Sequence, residues 1–455
     1  MSATRRQMLA RTGATAASIA FTGAVSELFT GTATAAPRPS GSGYGPLVTD
    51  PDGLLDLPRG FRYKVLSREG DRLLSGEGRV PSNHDGMAAF AGRRGRTHLV
   101  RNHENRVTAP IAVPVVPGLT YDPMGKGGCT ALEVDGRGEV LGERVAIAGT
   151  AVNCAGGPTP WGTWLTCEET EDRAGTNGYT KDHGFIFEVD GADPHRTGAV
   201  PLTAMGRFQH EAVAIDPDSG IVYETEDAFD HPFGLFYRFL PEKPRGGIGS
   251  LRAGGALEAM RVPGVPDLST VQEPGTAFDR IEWVPVPDPL ADGTPIRYQD
   301  FGPKGITHAQ KLEGCYWGEG CVYVVSSFAH RSEGSAADHY GQVWKYEPRR
   351  RRLTLVIVFG PDTDIDLPGE SPDNICLAPS GGLMVCEDGG GAQHVFGVTP
   401  RGAVYPMARG AQNVGTPERP EWGEFAGVTF SPDGRTMYVN CYHPGTTFAV
   451  TGPWR

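Results

Sequence analysis

The chain has 455 residues, long enough for one large domain or two to three ordinary ones, with 39% apolar residues, Gly 64 and Pro 38. Its formal charge is -12, and setting aside the first 36 residues, which carry Arg5, Arg6, Arg11 and Glu27, leaves -14. Such a surface repels nucleic acid and anionic membranes, and no basic patch interleaved with aromatic residues argues otherwise, so a nucleic-acid partner is excluded and a protein that collects cations fits.

Residues 1–36 read as a twin-arginine export signal. Thr4-Arg5-Arg6-Gln7-Met8-Leu9 is followed by the weakly apolar run ATAASIAFTGAV and by the small residues Ala33-Thr34-Ala35 at a cleavage position. That run is too short and too polar for a stable membrane anchor. The expected location is outside the cytoplasm: extracellular, periplasmic or cell-wall associated. Residues 37–45, PRPSGSGYG, form a flexible linker into a domain covering 46–455.

Within that domain, short apolar strands are punctuated by turn residues. Val213-Ala214-Ile215 and Ile221-Val222-Tyr223 flank DPDSG, and Ile375 to Ala378 and Leu383 to Cys386 flank PSGG. Val428-Thr429-Phe430 and Thr436 to Asn440 flank SPDGR, and Cys129 to Val134 precedes DGRGE and a strand containing Val140. Gly341 to Tyr346 and His394 to Thr399 are further strands ending in basic or polar turns. Units recurring roughly every 40 to 50 residues are the signature of propeller blades, with a β-sandwich as the rival. The fold class expected is all-β, a six-bladed β-propeller with a long irregular insertion at about 242–304, where Pro and Gly are dense.

The chemistry concentrates near strand ends. Asn153 to Glu169, NCAGGPTPWGTWLTCEE, sets Cys154 in a Gly/Pro-rich bend close in sequence to Glu168 and Glu169. Asn102-His103-Glu104, His210-Glu211, Glu224, Glu226-Asp227, Glu313, Asp373-Asn374 and Glu387-Asp388 lie in comparable settings in other stretches. A propeller channel collects such positions, and acids crowded there need cations to neutralise them. Hard carboxylates suit calcium, whereas a thiolate among them suits iron or another transition metal. Alternation sends only one of Glu168/Glu169 and one of Glu226/Asp227 toward the channel. The eight cysteines form no CxxC pair, and Cys315 with Cys321, across a Trp-Gly-Glu-Gly turn, is a disulfide candidate.

Arg101-Asn102-His103-Glu104, TPWGTWLTCEE, His210-Glu211, GIVYETEDA, FGLFYRF, SPDN, CEDG and EFAGVTFSPDGRTMYVNCYHPGTTFAVTGPW together resemble the PhoX family of twin-arginine-exported alkaline phosphatases. The resemblance covers most of the chain after the signal. It implies a six-bladed propeller with a mixed Fe3+ and Ca2+ site, in which Cys154, Glu211 and Glu313 bind iron. Glu104, Glu169 and Asp227 surround the cluster, mostly on calcium, with Asp373 and Asp388 as weaker members. Lys311 stands where the family carries a phosphate-contacting Arg, and supplies a point charge without the bidentate fork. The activity implied is hydrolysis of small-molecule phosphate monoesters, and of diesters in second place, by a monomer. The rivals are a calcium-dependent lactonase- or esterase-like propeller, which has no use for Cys154, and a non-catalytic calcium-binding propeller.

Overall fold

Turn residues and short apolar runs fold here into antiparallel hairpins, and the computed structural model stacks them around one axis. It describes residues 43–76, 78–360, 370–399, 403–416 and 418–454, together with a short strand pair, Ala24–Ser26 with Thr32–Thr34. The export signal otherwise lies outside the described residues. Apart from that pair, the strands form six sheets, the blades. We number the blades by the chain order of their inner strands: His84–Ala91, Asn153–Pro158, His210–Ile215, Leu312–Gly318, Pro372–Leu377 and Phe425–Phe430. Each inner strand pairs with the next strand along the chain, respectively Thr97–His103, Trp164–Glu168, Val222–Glu226, Cys321–Ser326, Leu383–Glu387 and Thr436–Cys441. The expected propeller is present, and the hairpins read from the sequence are the inner pairs of blades 3, 5 and 6 and the outer pair of blade 1.

Both faces of a blade are covered by its neighbours, so the core is a set of layers between blades. Tyr223, Phe236, Trp344, Tyr346 and Leu355 fill one such layer, and Tyr323, Val343, Ile375, Val385 and Phe396 another. This explains why many strands read as continuous apolar runs. The ring is closed by pairing the chain's two ends: Arg62–Arg68 is the outer strand of blade 6, in register with Thr446–Thr451. A buried ion pair staples the closure. Arg101 donates to Glu143 at 2.8 Å and to Thr447 at 2.7 Å, and Ser67 donates to the same Glu143 oxygen at 2.7 Å.

Segment 242–304 departs from the blade pattern yet carries regular pieces. Gly255–Arg261 and Glu282–Pro285 extend blade 3, and Ala277–Phe278 pairs with the outer strand of blade 4. Its Arg297 turns inward and reaches Glu171 at 2.9 Å and Glu226 at 3.2 Å, which pins the segment against blades 2 and 3. Blade 2 has only three strands. The Cys315–Cys321 disulfide is not formed: all eight cysteines are free and buried. In that hairpin Cys315 faces Val324 and Cys321 faces Gly318, so the two thiols sit at different rungs.

The inner strands pack directly on one another around the axis. Small residues make this approach possible. A Cβ on Gly314 would lie 2.5 Å from the Asp373 carbonyl oxygen of the next blade. Gly427 combines φ 63° with a Cβ position 2.5 Å from the Asp85 carbonyl oxygen. Past these contacts the axis holds a cavity of about 40 Å³, lined by inner-strand residues including Gly86, Ala155, Ala212 and Gly314. That is room for about one water and too little for a substrate, which makes the end where the inner strands begin the open end for the acids. Gly314→Val should force blades 4 and 5 apart and destabilise the protein by about 3 kcal/mol or more; thermal unfolding checks this, with a clear drop in Tm expected.

Candidate metal centre

All six inner strands bulge, five of them directly after their first pair with the second strand and the sixth one residue further along. Their register against the second strand slips by one residue between His84 and Met87, Asn153 and Gly156, His210 and Val213, Leu312 and Cys315, Pro372 and Ile375, and Ala426 and Thr429. A bulge sets two residues opposite one and re-aims a side chain away from the regular alternation. The first bulged residues of blades 1 to 5 are Asp85, Cys154, Glu211, Glu313 and Asp373, all buried, whereas blade 6 bulges at Gly427-Val428.

A second ring lies one step nearer the open end. The residue after each second strand donates its backbone N–H to the residue before the inner strand: Glu104 to Asn83, Glu169 to Val152, Asp227 to Gln209, Ser327 to Lys311, Asp388 to Ser371 and Tyr442 to Glu424, at 2.8 to 3.1 Å. Four of the acceptor residues have left-handed backbones: Asn83 (φ 53°), Val152 (φ 52°), Lys311 (φ 50°) and Ser371 (φ 48°). Left-handed geometry is costly for a β-branched residue such as Val152, and its recurrence here places backbone strain at the mouth of the channel.

The paired acids divide as alternation requires. Glu168 turns into its blade and accepts from Ala151 N, Gly184 N, Phe185 N and the His183 ring at 2.7 to 3.0 Å. Glu226 accepts from Leu235 N at 3.1 Å and from the Tyr237 hydroxyl at 2.6 Å, and Glu387 accepts from His394 N at 3.0 Å. These three tie the second strand to the third. Their successors Glu169, Asp227 and Asp388 belong to the second ring.

Two groups of donors converge. Ligand atoms of Cys154, Glu169 and Glu211 lie within 4.8 Å of one another, and so do those of Glu211, Glu313 and Asp373. Glu211 belongs to both. Asp227 joins through Lys311, whose ammonium lies 2.5 Å from both Asp227 and Glu313. Glu104 joins through Arg106, which contacts Glu104 at 3.3 Å and Glu169 at 3.6 Å. Asp388 is half-buried and lies outside both groups. Two residues escaped the sequence reading. Asp85 was signalled by the echo of His84-Asp85-Gly86 in His210-Glu211-Ala212; Arg106 had no signal beyond its place two residues after Glu104.

Neighbouring blades hold the bulges in shape. The Asn102 amide donates to the Cys154 and Ala155 carbonyl oxygens at 3.0 and 2.7 Å, while its oxygen accepts from Cys129, Trp164 and Thr166 at 2.9 to 3.0 Å. Thr225 donates to the Glu313 carbonyl oxygen at 2.7 Å, and Asn440 to that of Asp85 at 2.5 Å. Burial, and then Glu211, Glu169 and Asp85, push the Cys154 thiol well above its ordinary range. The protonated thiol donates to the His210 carbonyl oxygen at 3.3 Å. One thiol with two carboxylates fits a transition metal, and three carboxylates fit a hard cation, so the donors present suit a mixed pair of sites.

Fold and site define a β-propeller with a buried acidic cluster on its axis whose donors could hold metal ions. Over residues 42–445 the sequence matches the family described as Alkaline phosphatase PhoX. The chain therefore belongs to the PhoX family, which is metal-dependent, and is a phosphoric ester hydrolase. Among solved structures it is similar to Pseudomonas fluorescens PhoX in complex with vanadate, a transition state analogue, at 18% identity and a TM-score of 0.65, over 90% of this chain and 97% of that one. A gluconolactonase from Xanthomonas campestris is similar at 14% identity and a TM-score of 0.43, over 91% of this chain and 99% of that one. No curated protein matches the chain.

Beside the cluster, Glu224 is fully buried and its carboxyl lies 3.5 Å from the His210 ring. Burial holds Glu224 well above its ordinary 4.5 and pushes His210 down to about 3, so the pair is neutral. The folded protein keeps the Glu224 proton while the unfolded chain loses it above the ordinary carboxyl range. This costs about 1.4 kcal/mol of stability per pH unit as pH rises through that window. Glu224→Gln removes the penalty. Melting temperatures from pH 4 to 7 should fall for the natural protein relative to the variant, and parallel profiles would contradict the neutral pair.

Proposed function

We propose that this chain is an exported phosphatase with a mixed iron and calcium centre, acting as a monomer on small-molecule phosphate monoesters, with diesters as secondary substrates. The observation that carries the reading is the shared carboxylate: Glu211 joins a group containing the Cys154 thiol to a group made only of carboxylates. The soft donor favours iron in the first group, and the hard donors favour calcium in the second. Glu104, Asp227 and Asp388 complete the wall on the open side. A calcium-only lactonase-like centre, or a structural calcium site, has no use for a buried thiol among these acids.

When bound, the cations supply Lewis-acid neutralisation of the phosphate oxygens. The chain's own part is placement. Asn102, Thr225 and Asn440 fix the bulges, so the ligand side chains need little reorganisation. Lys311, enclosed between Asp227 and Glu313, adds a fixed positive charge on one side of the centre, where it lowers the cost of negative charge developing on the phosphoryl group. The cavity beyond the bulges, about 40 Å³, is too small for a substrate, so the alcohol part of the ester would extend toward the end where the inner strands begin. No helix among the described residues is long and apolar enough to cross a membrane.

Elemental analysis of protein exported in its native setting, with p-nitrophenyl phosphate hydrolysis assayed on the same sample, should find iron and calcium together with turnover. Cys154→Ala should lose iron and lower kcat/KM by roughly a hundredfold or more. Calcium without iron, and no turnover, would sink the proposal.

A further inference from the structure

Among the described residues, Lys311 and Arg106 both reach the acid rings, and they differ in one respect. The Lys311 side chain is 3% exposed and its ammonium is enclosed by Asp227 and Glu313. The Arg106 side chain is 48% exposed, although the carboxylates it contacts, Glu104 and Glu169, are both buried. Its guanidinium thus lies between the second ring and solvent, at the end of the axis from which a substrate arrives.

The backbone beneath it is held firmly. Asn105 is buried, its amide donates to the Ile111 and Lys126 carbonyl oxygens at 3.0 and 3.1 Å, and its carbonyl oxygen accepts from Val152 N at 3.2 Å. Ala109 N closes a turn onto the Arg106 carbonyl oxygen at 2.9 Å. The Arg106 contacts to Glu104 and Glu169 both run through Nη2, at 3.3 and 3.6 Å, longer than the roughly 2.7 to 2.9 Å of a tight charge-assisted pair. Glu169 also belongs to the group with Cys154 and Glu211. Once its charge is taken up by a cation, its hold on the guanidinium weakens, and the next anion within reach is the one bound on the open side.

We infer that Arg106 is a substrate-binding residue that grips the phosphoryl oxygens with its guanidinium fork. The assignment rests on the phosphatase reading above. It places the planar, bidentate donor that phosphate recognition favours on blade 1, facing the centre from the side opposite Lys311, whose position carries no such fork. Arg106 then sets affinity for the phosphate group of any ester, independent of its alcohol part.

The test compares the natural protein with Arg106→Ala and Arg106→Lys, each with its metal content measured. Inorganic phosphate binding is followed by calorimetry, and kcat and KM by p-nitrophenyl phosphate hydrolysis. Arg106→Ala should weaken phosphate binding and raise KM by roughly tenfold to a hundredfold, with metal content unchanged, and Arg106→Lys should recover part of the loss. Phosphate binding and KM unchanged in Arg106→Ala would overturn the assignment. So would loss of metal in that variant, which would make Arg106 a clamp on Glu104 and Glu169, and so would a metal-loaded natural protein that binds no phosphate. Calorimetry needs no turnover, so failure of the hydrolase reading is seen separately, as a natural protein that binds phosphate without hydrolysing the ester.

Discussion

The bulge in each inner strand is the constraint on which the rest of the molecule depends. A regular antiparallel strand alternates its side chains between the two faces of its blade, and in a propeller both faces belong to the core. Slipping the register by one residue frees a single side chain per blade from that alternation. Five of these positions hold Asp85, Cys154, Glu211, Glu313 and Asp373, and the sixth is Gly427. Close packing follows from the same geometry. The bulged backbones of adjacent blades touch, so Gly314 and Gly427 have no room for a Cβ.

Electrostatics then decides what the centre is for. Buried carboxylates at this density are stable only with positive charge among them. Lys311 and Arg106 supply part of it from opposite sides, one enclosed and one open to solvent. The remaining demand is for cations, and Cys154 makes the demand selective by placing a soft donor beside Glu169 and Glu211. The bulges themselves are held in shape by backbone and amide contacts such as those of Asn102.

Much of this was legible in the sequence, for identifiable reasons. Strands and turns follow local rules, so the hairpins around DPDSG, PSGG and SPDGR fell where the turn residues placed them. Alternation sent one acid of each pair toward the channel without saying which; Glu168 and Glu226 accept from N–H groups just before the third strands. The illegible parts depend on three-dimensional register. Cys315 and Cys321 are close along the chain but occupy different rungs, so no disulfide forms. Asp85 had a signal in the echo of His84-Asp85-Gly86 in His210-Glu211-Ala212, which gained meaning once the bulges aligned it with Glu211. The role of Arg106 needed two acids from different blades. The insertion read as irregular because its short strands are recruited by blades 3 and 4, which sequence pattern alone does not show.

The most direct test of the bulge-built centre is an anomalous diffraction map at the iron edge from crystals of natively exported protein. The account predicts an iron peak within bonding distance of the Cys154 sulfur and Glu211, and a second cation on Glu211 from the side of Glu313 and Asp373. Metal density elsewhere, with none at the ring of bulges, would contradict it.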